Sequence, residues 1–351
     1  MVNRNIAIAS AALRGAFWRV NLSVTNRCNS RCVTCNIWKN TAKDKLSAAN
    51  YESLFLGLGP RLRWLHVTGG EPFLRSDLRE ILESALELCP NLCVVDFATN
   101  GFLSNDIAKV ITALIQERPK VLFAVGISID GRLDIHEYIR NVKGCWEKAK
   151  RTFDQLGKLS RVHSNLQIHV NFTVSPWNIG EISQFCSKFP NLSPVSLSVY
   201  CLGHSFKNSS DYGPGADFYK GAKSDIAWFL QHGQETSWVK KLFLRLALTY
   251  LDDISKPVLP CEAVAASCFI DPQGDVFPCT LLEYRLGNIL EDPKLTCLNG
   301  ANAKELRLKI KTGLCNCRSG CECWSSILRH TPKAILKAYG TKIPKHEGCQ
   351  I

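Results

Sequence analysis

The chain has 351 residues, of which 46% are hydrophobic and 21% are charged, and its formal net charge is +12. Such a length and composition are typical of a globular protein with one large domain and one smaller one, each with its own core. The apolar runs all fall short of the roughly 20 residues that span a bilayer, which excludes a membrane-spanning helix.

The positive charge would suit an anionic substrate, a nucleic acid or an acidic electron donor. The Lys and Arg residues are scattered, however, and no aromatic pattern for stacking single-stranded nucleic acid accompanies them. We therefore expect a solvated basic surface and no nucleic-acid partner.

Seventeen cysteines need an explanation. They could form disulfides in an exported protein, but their spacings resemble metal sites and no convincing export signal is present. We therefore expect a reducing cytoplasm and several metal clusters. Five thiols fall in strand or helix patterns and are expected to be small buried hydrophobes: Cys89, Cys93, Cys145, Cys186 and Cys201.

The first 16 residues are predicted to be an N-terminal extension. The stretch from Ile6 to Leu13 resembles the apolar part of a signal peptide, but Arg14 interrupts it and the first core strand follows at once. We expect a short amphipathic helix or a loose end here.

Strand-like and helix-like segments then alternate over residues 17–202. Apolar, β-rich runs occur near 18–24, 63–68, 93–98, 122–129, 166–174 and 195–201, and segments with helical periodicity lie between them. This alternation predicts an α/β fold with a parallel sheet, and six units fit a partial (β/α)6 barrel.

Three cysteines, Cys28, Cys32 and Cys35, follow the first predicted strand with C-x3-C-x2-C spacing. A closed zinc or iron–sulfur site needs four ligands, so three thiolates leave one metal position open for chemistry. A zinc knuckle with a distant fourth ligand, or three unrelated thiols, are the alternatives.

Further unusual segments follow the other strands: 68–72, 99–101, 128–131 and 171–174. The carboxyl ends of parallel strands are where barrels and open α/β sheets build their sites, so these segments should meet the cysteines on one rim. Taken together, the segments resemble the radical S-adenosylmethionine (SAM) superfamily. In that family three cysteines hold a [4Fe–4S] cluster, SAM binds the fourth iron, and one electron from the cluster releases a 5′-deoxyadenosyl radical that abstracts a substrate hydrogen. Thr34 departs from the family, which often has an aromatic residue there.

The resemblance implies a set of SAM contacts. The segment Gly69-Gly70-Glu71-Pro72 matches the motif that holds the SAM ammonium group, and Arg140 matches an arginine that pairs with the SAM carboxylate through its planar fork. A surface salt bridge is the alternative for Arg140. The other implied contacts are Ser128 and Asp130 to the ribose, Asn171 and Val174 near the adenine, and Asn100, whose Asn-Gly sequence is also an ordinary turn.

Residues 203–260 are predicted to be a helical connector. Two residues near the end of strand six, Tyr200 and His204, are the candidates for a substrate acid or base, and a polar loop without a catalytic role is the alternative for each.

A second group of cysteines occupies residues 261–351. The segment from Cys268 to Cys279 predicts a tight β-hairpin, with Asp-Pro-Gln-Gly as its turn. The group resembles the SPASM or twitch domain, a small cysteine-rich domain that binds auxiliary [4Fe–4S] clusters. By that resemblance one cluster takes Cys261, Cys268, Cys279 and Cys323, and a second takes Cys315, Cys317, Cys321 and Cys349. The later spacing is tighter than the family's, so a single cluster and a structural zinc remain open.

The resemblance implies a radical SAM oxidoreductase or bond-forming enzyme that uses SAM and a reducing partner such as flavodoxin or ferredoxin. Within this class we expect oxidation or epimerisation of a small molecule such as a sugar alcohol or aminocyclitol. This preference depends on the few residues before the first strand, which leave no room for a peptide-recognition domain. Modification of a ribosomal peptide or protein is the alternative, and a non-catalytic zinc-stabilised binding protein is the alternative of another class.

Overall fold

The computed structural model describes residues 17–201, 215–232, 237–252, 258–314 and 320–340. None of the helices in these ranges is long and apolar enough to cross a membrane. His204, Cys315, Cys317 and Cys349 lie outside the described residues, and so does the side chain of Cys321.

Six parallel strands form the main sheet and pair in the order in which they occur in the chain. They are β1 (Arg19–Ser23), β2 (Trp64–Thr68), β3 (Val94–Thr99), β4 (Leu122–Ser128), β5 (Leu166–Val174) and β6 (Val195–Val199). The helices between them are α1 (Ala48–Leu58), α2 (Leu78–Leu88), α3 (Ser104–Glu117), α4 (Leu133–Arg140), α5 (Cys145–Val162) and α6 (Glu181–Lys188). The predicted partial (β/α)6 barrel is confirmed.

Each strand has one apolar face and one mixed face, because successive side chains point to opposite sides of a sheet. In β2, Leu65 and Val67 are fully buried, whereas His66 between them is partly exposed. The apolar faces of the other strands contribute Val95, Phe97, Phe123, Val125, Val170 and Phe172 to the same core. The polar side chains are thereby left for the inner face of the barrel.

Helix α4 is the one barrel helix that the periodicity does not predict. It has eight residues and ends at Arg140; the next residue, Asn141, adopts a left-handed conformation with φ of 50°. Asparagine is one of the few non-glycine residues that take this conformation readily at a helix end. The consequence is a sharp turn directly after Arg140.

The C-terminal hairpin extends the main sheet. Strands β7 (Ser267–Ile270) and β8 (Asp275–Phe277) are antiparallel, which confirms the predicted hairpin, and the short β9 (Gly287–Asn288) pairs with β8. Strand β7 is parallel to β1, with Val20 opposite Cys268 and Leu22 opposite Ile270. Hydrogen bonds therefore join the barrel to the cysteine-rich region.

The described residues contain five further α-helices: α7 (Ala216–His232), α8 (Trp238–Asp252), α9 (Ala301–Lys311), α10 (Gly320–Arg329) and α11 (Thr331–Gly340). Helices α7 and α8 occupy the predicted connector and pack on each other. The expected domain boundaries near 202 and 260 adjoin residues outside the described ranges and stay predictions.

Replacing Ile270 with Ala should destabilise the barrel, because this fully buried side chain belongs to the main core. The free energy of unfolding should fall by about 2–5 kcal/mol. Urea unfolding followed by tryptophan fluorescence measures it. Leu290→Ala is the control, since that side chain is 50% exposed and should matter little. If the Ile270→Ala variant unfolded in two separate transitions and the transition of the barrel were unchanged, the hairpin and the barrel would not share a core.

Candidate functional site

The three N-terminal cysteines lie in the loop after β1, and local hydrogen bonds shape this loop. The backbone N–H of Ser30 donates to Cys28 Sγ at 3.4 Å, and the Ser30 hydroxyl lies 3.1 Å from Cys32 Sγ. Backbone N–H groups directed at sulfur are suited to thiolates, which accept but do not donate.

Burial, with a smaller contribution from the neighbouring thiols, raises the pKa of the Cys28 thiol to about 11 and that of Cys35 to about 12, against the lowering effect of a backbone hydrogen bond to each. Both thiols can ionise near neutral pH only if positive charge lies beside them, and metal ions supply it. Their donor set therefore fits a metal cluster, although no group of three His, Cys, Asp or Glu side chains in the described ranges stands at metal-ligand spacing.

The end of α4 holds the cysteine loop in place. Arg31 N–H donates to the carbonyl of Arg140 at 3.0 Å, and Val33 N–H donates to that of Ile139 at 2.9 Å. The last carbonyls of a helix lack partners within the helix, so they are free to accept these bonds. The sharp turn at Asn141 thus ends the helix where its carbonyls meet the cysteines.

Gly69 and Gly70 lie against the backbone that leads to the cysteines. Gly70 N–H donates to the Thr25 carbonyl at 2.7 Å, and a Cβ added to Gly70 would lie 2.1 Å from the carbonyl oxygen of Arg27. Gly69 has φ of 139°, and its Cβ would lie 2.5 Å from the Thr25 carbonyl. Only glycine permits this approach. The contact that requires the two glycines is therefore with the cysteine loop itself.

Glu71 is fully buried and joins the second and third rim segments. Its Oε1 accepts from the Thr99 hydroxyl at 2.8 Å and from Phe73 N–H at 3.3 Å, while Oε2 accepts from Asn100 N–H at 2.7 Å. The Asn100 side chain in turn donates to Asn29 Oδ1 at 2.6 Å, within the cysteine loop. Burial raises the pKa of Glu71 to about 7, against the lowering effect of its three donors.

Arg140 lies between the cysteines and β4. Its Nη2 is 2.6 Å from Asp130 Oδ2, and its Nη1 donates to Cys32 Sγ at 3.7 Å. The side chains of Arg140 and Asp130 are only 15% and 4% exposed, so the alternative of a surface salt bridge is wrong. The Nε of Arg140 is buried and has no hydrogen-bond partner among the described residues.

Three more predicted contacts lie along the same rim. Ser128, the last residue of β4, lies opposite Asn171 in β5. Gly126 leaves room for the Asn171 amide, since a Cβ there would lie 2.2 Å from Asn171 Nδ2. Val174 is fully buried at the end of β5, and its carbonyl accepts the N–H of Tyr200 at 2.8 Å.

Two of the described C-terminal cysteines belong to the hairpin or directly follow it, and a third lies in a helix. Cys268 is buried within β7, Cys279 follows β8, and Cys323 lies in α10. Cys279 Sγ accepts the N–H groups of Leu281 and Leu282, each at 3.4 Å. Like the N-terminal cysteines, this thiol faces backbone donors that suit a thiolate ligand.

The hairpin turn also touches the cysteine loop. Asn26 Nδ2 donates to Gln273 Oε1 at 3.3 Å, and Gln273 Nε2 donates to the Lys43 carbonyl at 3.3 Å. Lys45 N–H donates to the Pro272 carbonyl at 3.0 Å. The two cysteine-rich regions are therefore in direct contact.

The sequence analysis did not predict a cluster of polar side chains on the inner face of the sheet. His66 Nδ1 lies 2.5 Å from Asp96 Oδ2, and Trp64 Nε1 donates to the other oxygen. Although burial acts to raise it, the neighbouring His66 and Arg19 hold the pKa of Asp96 below its ordinary value. The available signal is the period-2 pattern, which puts His66 between two apolar residues and hence on the inner face.

Two family models match the chain. The model of the radical SAM superfamily matches residues 22–186, and that of an iron–sulfur cluster-binding domain, SPASM, matches residues 261–324. The predicted resemblance is confirmed. Such domains bind a [4Fe–4S] cluster with SAM and auxiliary iron–sulfur clusters, which also confirms the predicted cofactors.

Individual proteins agree with the family models. An AdoMet-dependent heme synthase of Methanosarcina barkeri is 27% identical over 281 residues, which cover 73% of this chain and 75% of the relative. The sporulation killing factor maturation protein SkfB of Bacillus subtilis is 24% identical over 84% of this chain and 68% of its own. The solved structure of anSMEcpe with bound AdoMet superimposes with a TM-score of 0.62 at 16% identity, over 93% of this chain and all of that one.

The raised pKa of Glu71 predicts a pH-dependent stability. Below about pH 4.5 the carboxyl is protonated in both the folded and unfolded chains; from there to about pH 7 only the unfolded chain loses its proton. Stability should therefore fall with rising pH across this window and level off above it. The measurement is the urea midpoint of the metal-free protein at a series of pH values. The fall in the midpoint between about pH 4.5 and pH 7 should become smaller in the Glu71→Gln variant.

The control is Glu117→Gln, which changes a carboxylate that is 45% exposed. Its pH profile should run parallel to that of the parent chain. If Glu71→Gln ran parallel as well, the buried carboxyl would not have the raised pKa.

Proposed function

Because this chain belongs to the radical SAM superfamily and carries a SPASM domain, we propose that it uses SAM to abstract hydrogen from a substrate in its barrel. When bound at Cys28, Cys32 and Cys35, a [4Fe–4S] cluster supplies the electron that cleaves SAM to a 5′-deoxyadenosyl radical. The observation that carries this proposal is the position of Arg140. Its guanidinium contacts both the Cys32 thiol and the Asp130 carboxylate, and its buried Nε has no hydrogen-bond partner among the described residues.

Arg140 suits the SAM carboxylate. Its Nη atoms are engaged by Asp130 and Cys32, whereas the buried Nε has no partner among the described residues and can donate to an incoming oxygen. A buried donor left without an acceptor costs free energy, which a ligand carboxylate would relieve. The Asp130 carboxylate orients the guanidinium beside the cysteines.

Glu71 suits the SAM ammonium group because a cation beside a buried carboxyl favours its ionised form. In the absence of such a cation, burial holds its pKa near 7. Ser128 and Asp130 would then face the ribose, and Asn100, Asn171 and Val174 the adenine region.

The C-terminal cysteines would hold auxiliary clusters. We assign Cys261, Cys268, Cys279 and Cys323 to the first cluster and Cys315, Cys317, Cys321 and Cys349 to a second. The backbone donors at Cys279 support the first assignment. Because iron–sulfur clusters and free thiolates require reducing conditions, we also propose a cytoplasmic location.

For the substrate we propose a peptide or protein. Support comes from SkfB, whose name describes a maturation protein and whose similarity extends over 84% of this chain. The heme synthase relative supports the second candidate, a small molecule, as the sequence preference also does.

Changing Cys28, Cys32 and Cys35 together to Ala should abolish the release of 5′-deoxyadenosine from SAM, because no cluster can then bind beside Arg140. The iron held by the C-terminal cysteines should remain. Anaerobic reaction with dithionite and an iron assay measure the two quantities. Cys186→Ala, on α6, is the matched control and should retain both. Release of deoxyadenosine by the triple variant would contradict the assignment.

Deuterium transfer into 5′-deoxyadenosine distinguishes the substrate classes. Deuterated peptides encoded beside this gene should transfer deuterium, and deuterated aminocyclitols, sugar alcohols and tetrapyrroles should not. Mass spectrometry of the deoxyadenosine measures the transfer. Transfer from the small molecules alone would overturn the peptide assignment without affecting that of the cluster.

A further inference from the structure

Strand β6 lies at one end of the described sheet and pairs there with β5 alone. The strand at the other end, β9, has only two residues, whereas β6 has five. Proteins usually protect an edge strand by making it short or by placing charged side chains or prolines in it. Residues 195–199 read Val-Ser-Leu-Ser-Val and contain neither a charge nor a proline. The sequence of β6 therefore leaves its outer edge suited to pairing with another strand.

The pairing register shows which backbone groups of β6 bond to β5. Val170 N–H donates to the Pro194 carbonyl at 2.9 Å, and Tyr200 N–H donates to that of Val174 at 2.8 Å. In a parallel pair, every second residue of a strand bonds to the same neighbour. The bonds from β6 to β5 therefore come from every second position, starting at residue 194 and ending at residue 200.

The intervening residues, Val195, Leu197 and Val199, direct their N–H and C=O groups away from β5, and we call these groups the open edge. No hydrogen bond to the open edge is present within the described part of the chain. Each N–H and C=O is a strong hydrogen-bonding group, so a partner would stabilise it. Another extended backbone carries donors and acceptors at the same spacing. The open edge therefore fits an added strand.

The two faces of β6 differ in the same alternating way. Val195 and Leu197 are 7% and 4% exposed and belong to the main core. Ser196 and Ser198 are partly exposed on the inner face, where Ser198 Oγ lies 3.2 Å from Thr173 Oγ1. A strand added to β6 would also direct every second side chain to the inner face. Alternate side chains of a bound peptide would thus enter the barrel.

The open edge ends at the rim that carries the proposed SAM contacts. Val199, the last residue of β6, lies opposite Val174, and Ser196 lies opposite Asn171. Neighbouring strands are about 4.8 Å apart, so an added strand would lie about 10 Å from β5. Val199 is partly exposed, so solvent reaches this end of the strand. A peptide residue beside Val199 would therefore be close to SAM bound along the rim.

We propose that an extended segment of the peptide substrate pairs with the open edge as an added strand, with every second side chain inside the barrel. This inference rests on the peptide substrate proposed above and supplies its mode of binding. Backbone hydrogen bonds would give affinity, and the inward side chains would give selectivity. An aminocyclitol or a sugar alcohol has no extended backbone to pair in this way.

The first test is an N-methyl scan of the peptide, with the cluster-loaded full chain and SAM but no reductant. The probes are fluorescein-labelled synthetic peptides encoded beside this gene, each with one backbone nitrogen methylated, and fluorescence anisotropy gives each dissociation constant. Methylation at every second position should weaken binding about three- to tenfold, because it removes a hydrogen bond to the open edge. Methylation at the positions between them should have little effect.

A variant of the chain tests the same contact from the other side. Val199→Pro removes one N–H of the open edge and keeps the bonds of residues 198 and 200 to β5, since proline lacks only its own N–H. The matched control, Val199→Ala, shortens the side chain and keeps the N–H. The proline variant should bind the unmethylated peptide about three- to tenfold more weakly than the alanine variant. The scan uses the parent chain and decides the question even if the proline variant does not fold.

A scan without the alternating pattern would overturn the proposal, even if the same peptide transferred deuterium to 5′-deoxyadenosine. Equal affinities of the folded proline and alanine variants would overturn it as well. A parent chain whose dimer, measured by sedimentation, is lost only in Val199→Pro would show that a second copy of this chain occupies the edge, which also overturns it. Deuterium transfer from small molecules alone would instead refute the proposed peptide substrate, so the two failures are distinguishable.

Discussion

The guanidinium of Arg140 lies between the Asp130 carboxylate and the Cys32 thiol, and the carbonyl of the same residue accepts two hydrogen bonds from the cysteine loop. One residue therefore fixes both the position of the loop and the charge beside it. Because the guanidinium is buried, leaving its charge without a partner would cost free energy of folding. The left-handed turn at Asn141 supplies the geometry, since it ends the helix where its carbonyls reach the cysteines.

Close backbone contacts set the rest of the rim. The two glycines at 69 and 70 let the segment after β2 lie directly against the segment after β1. Glu71 then extends the contact to the segment after β3 by accepting from Thr99 and Asn100. Three successive strand ends are thus joined by hydrogen bonds before any ligand is considered, and a ligand would meet a site whose parts are already in place.

Strand β1 carries a second constraint. It pairs with β2 on one side and with β7 on the other, so the barrel and the cysteine-rich region share one continuous sheet. Cys268 lies opposite Val20, and the turn of the same hairpin contacts the loop that contains Cys28. The hairpin is therefore bonded both to a barrel strand and to the N-terminal cysteine loop.

The sequence by itself determined the order of the six strands, every barrel helix except α4, the hairpin and the family, because these follow from local periodicity, turn residues and cysteine spacing. Only the tertiary structure shows that Arg140 forms a buried ion pair with Asp130 and that Gly69 and Gly70 lie against the cysteine loop. It also shows that β7 pairs with β1. It also shows the contact between His66 and Asp96, two residues that are 30 positions apart in the chain. The contacts of the glycines, of β7 with β1 and of His66 with Asp96 join residues distant in the chain, and their partners depend on strand order and register across the sheet. The Arg140 pair depends on where helix α4 ends, which the periodicity did not predict.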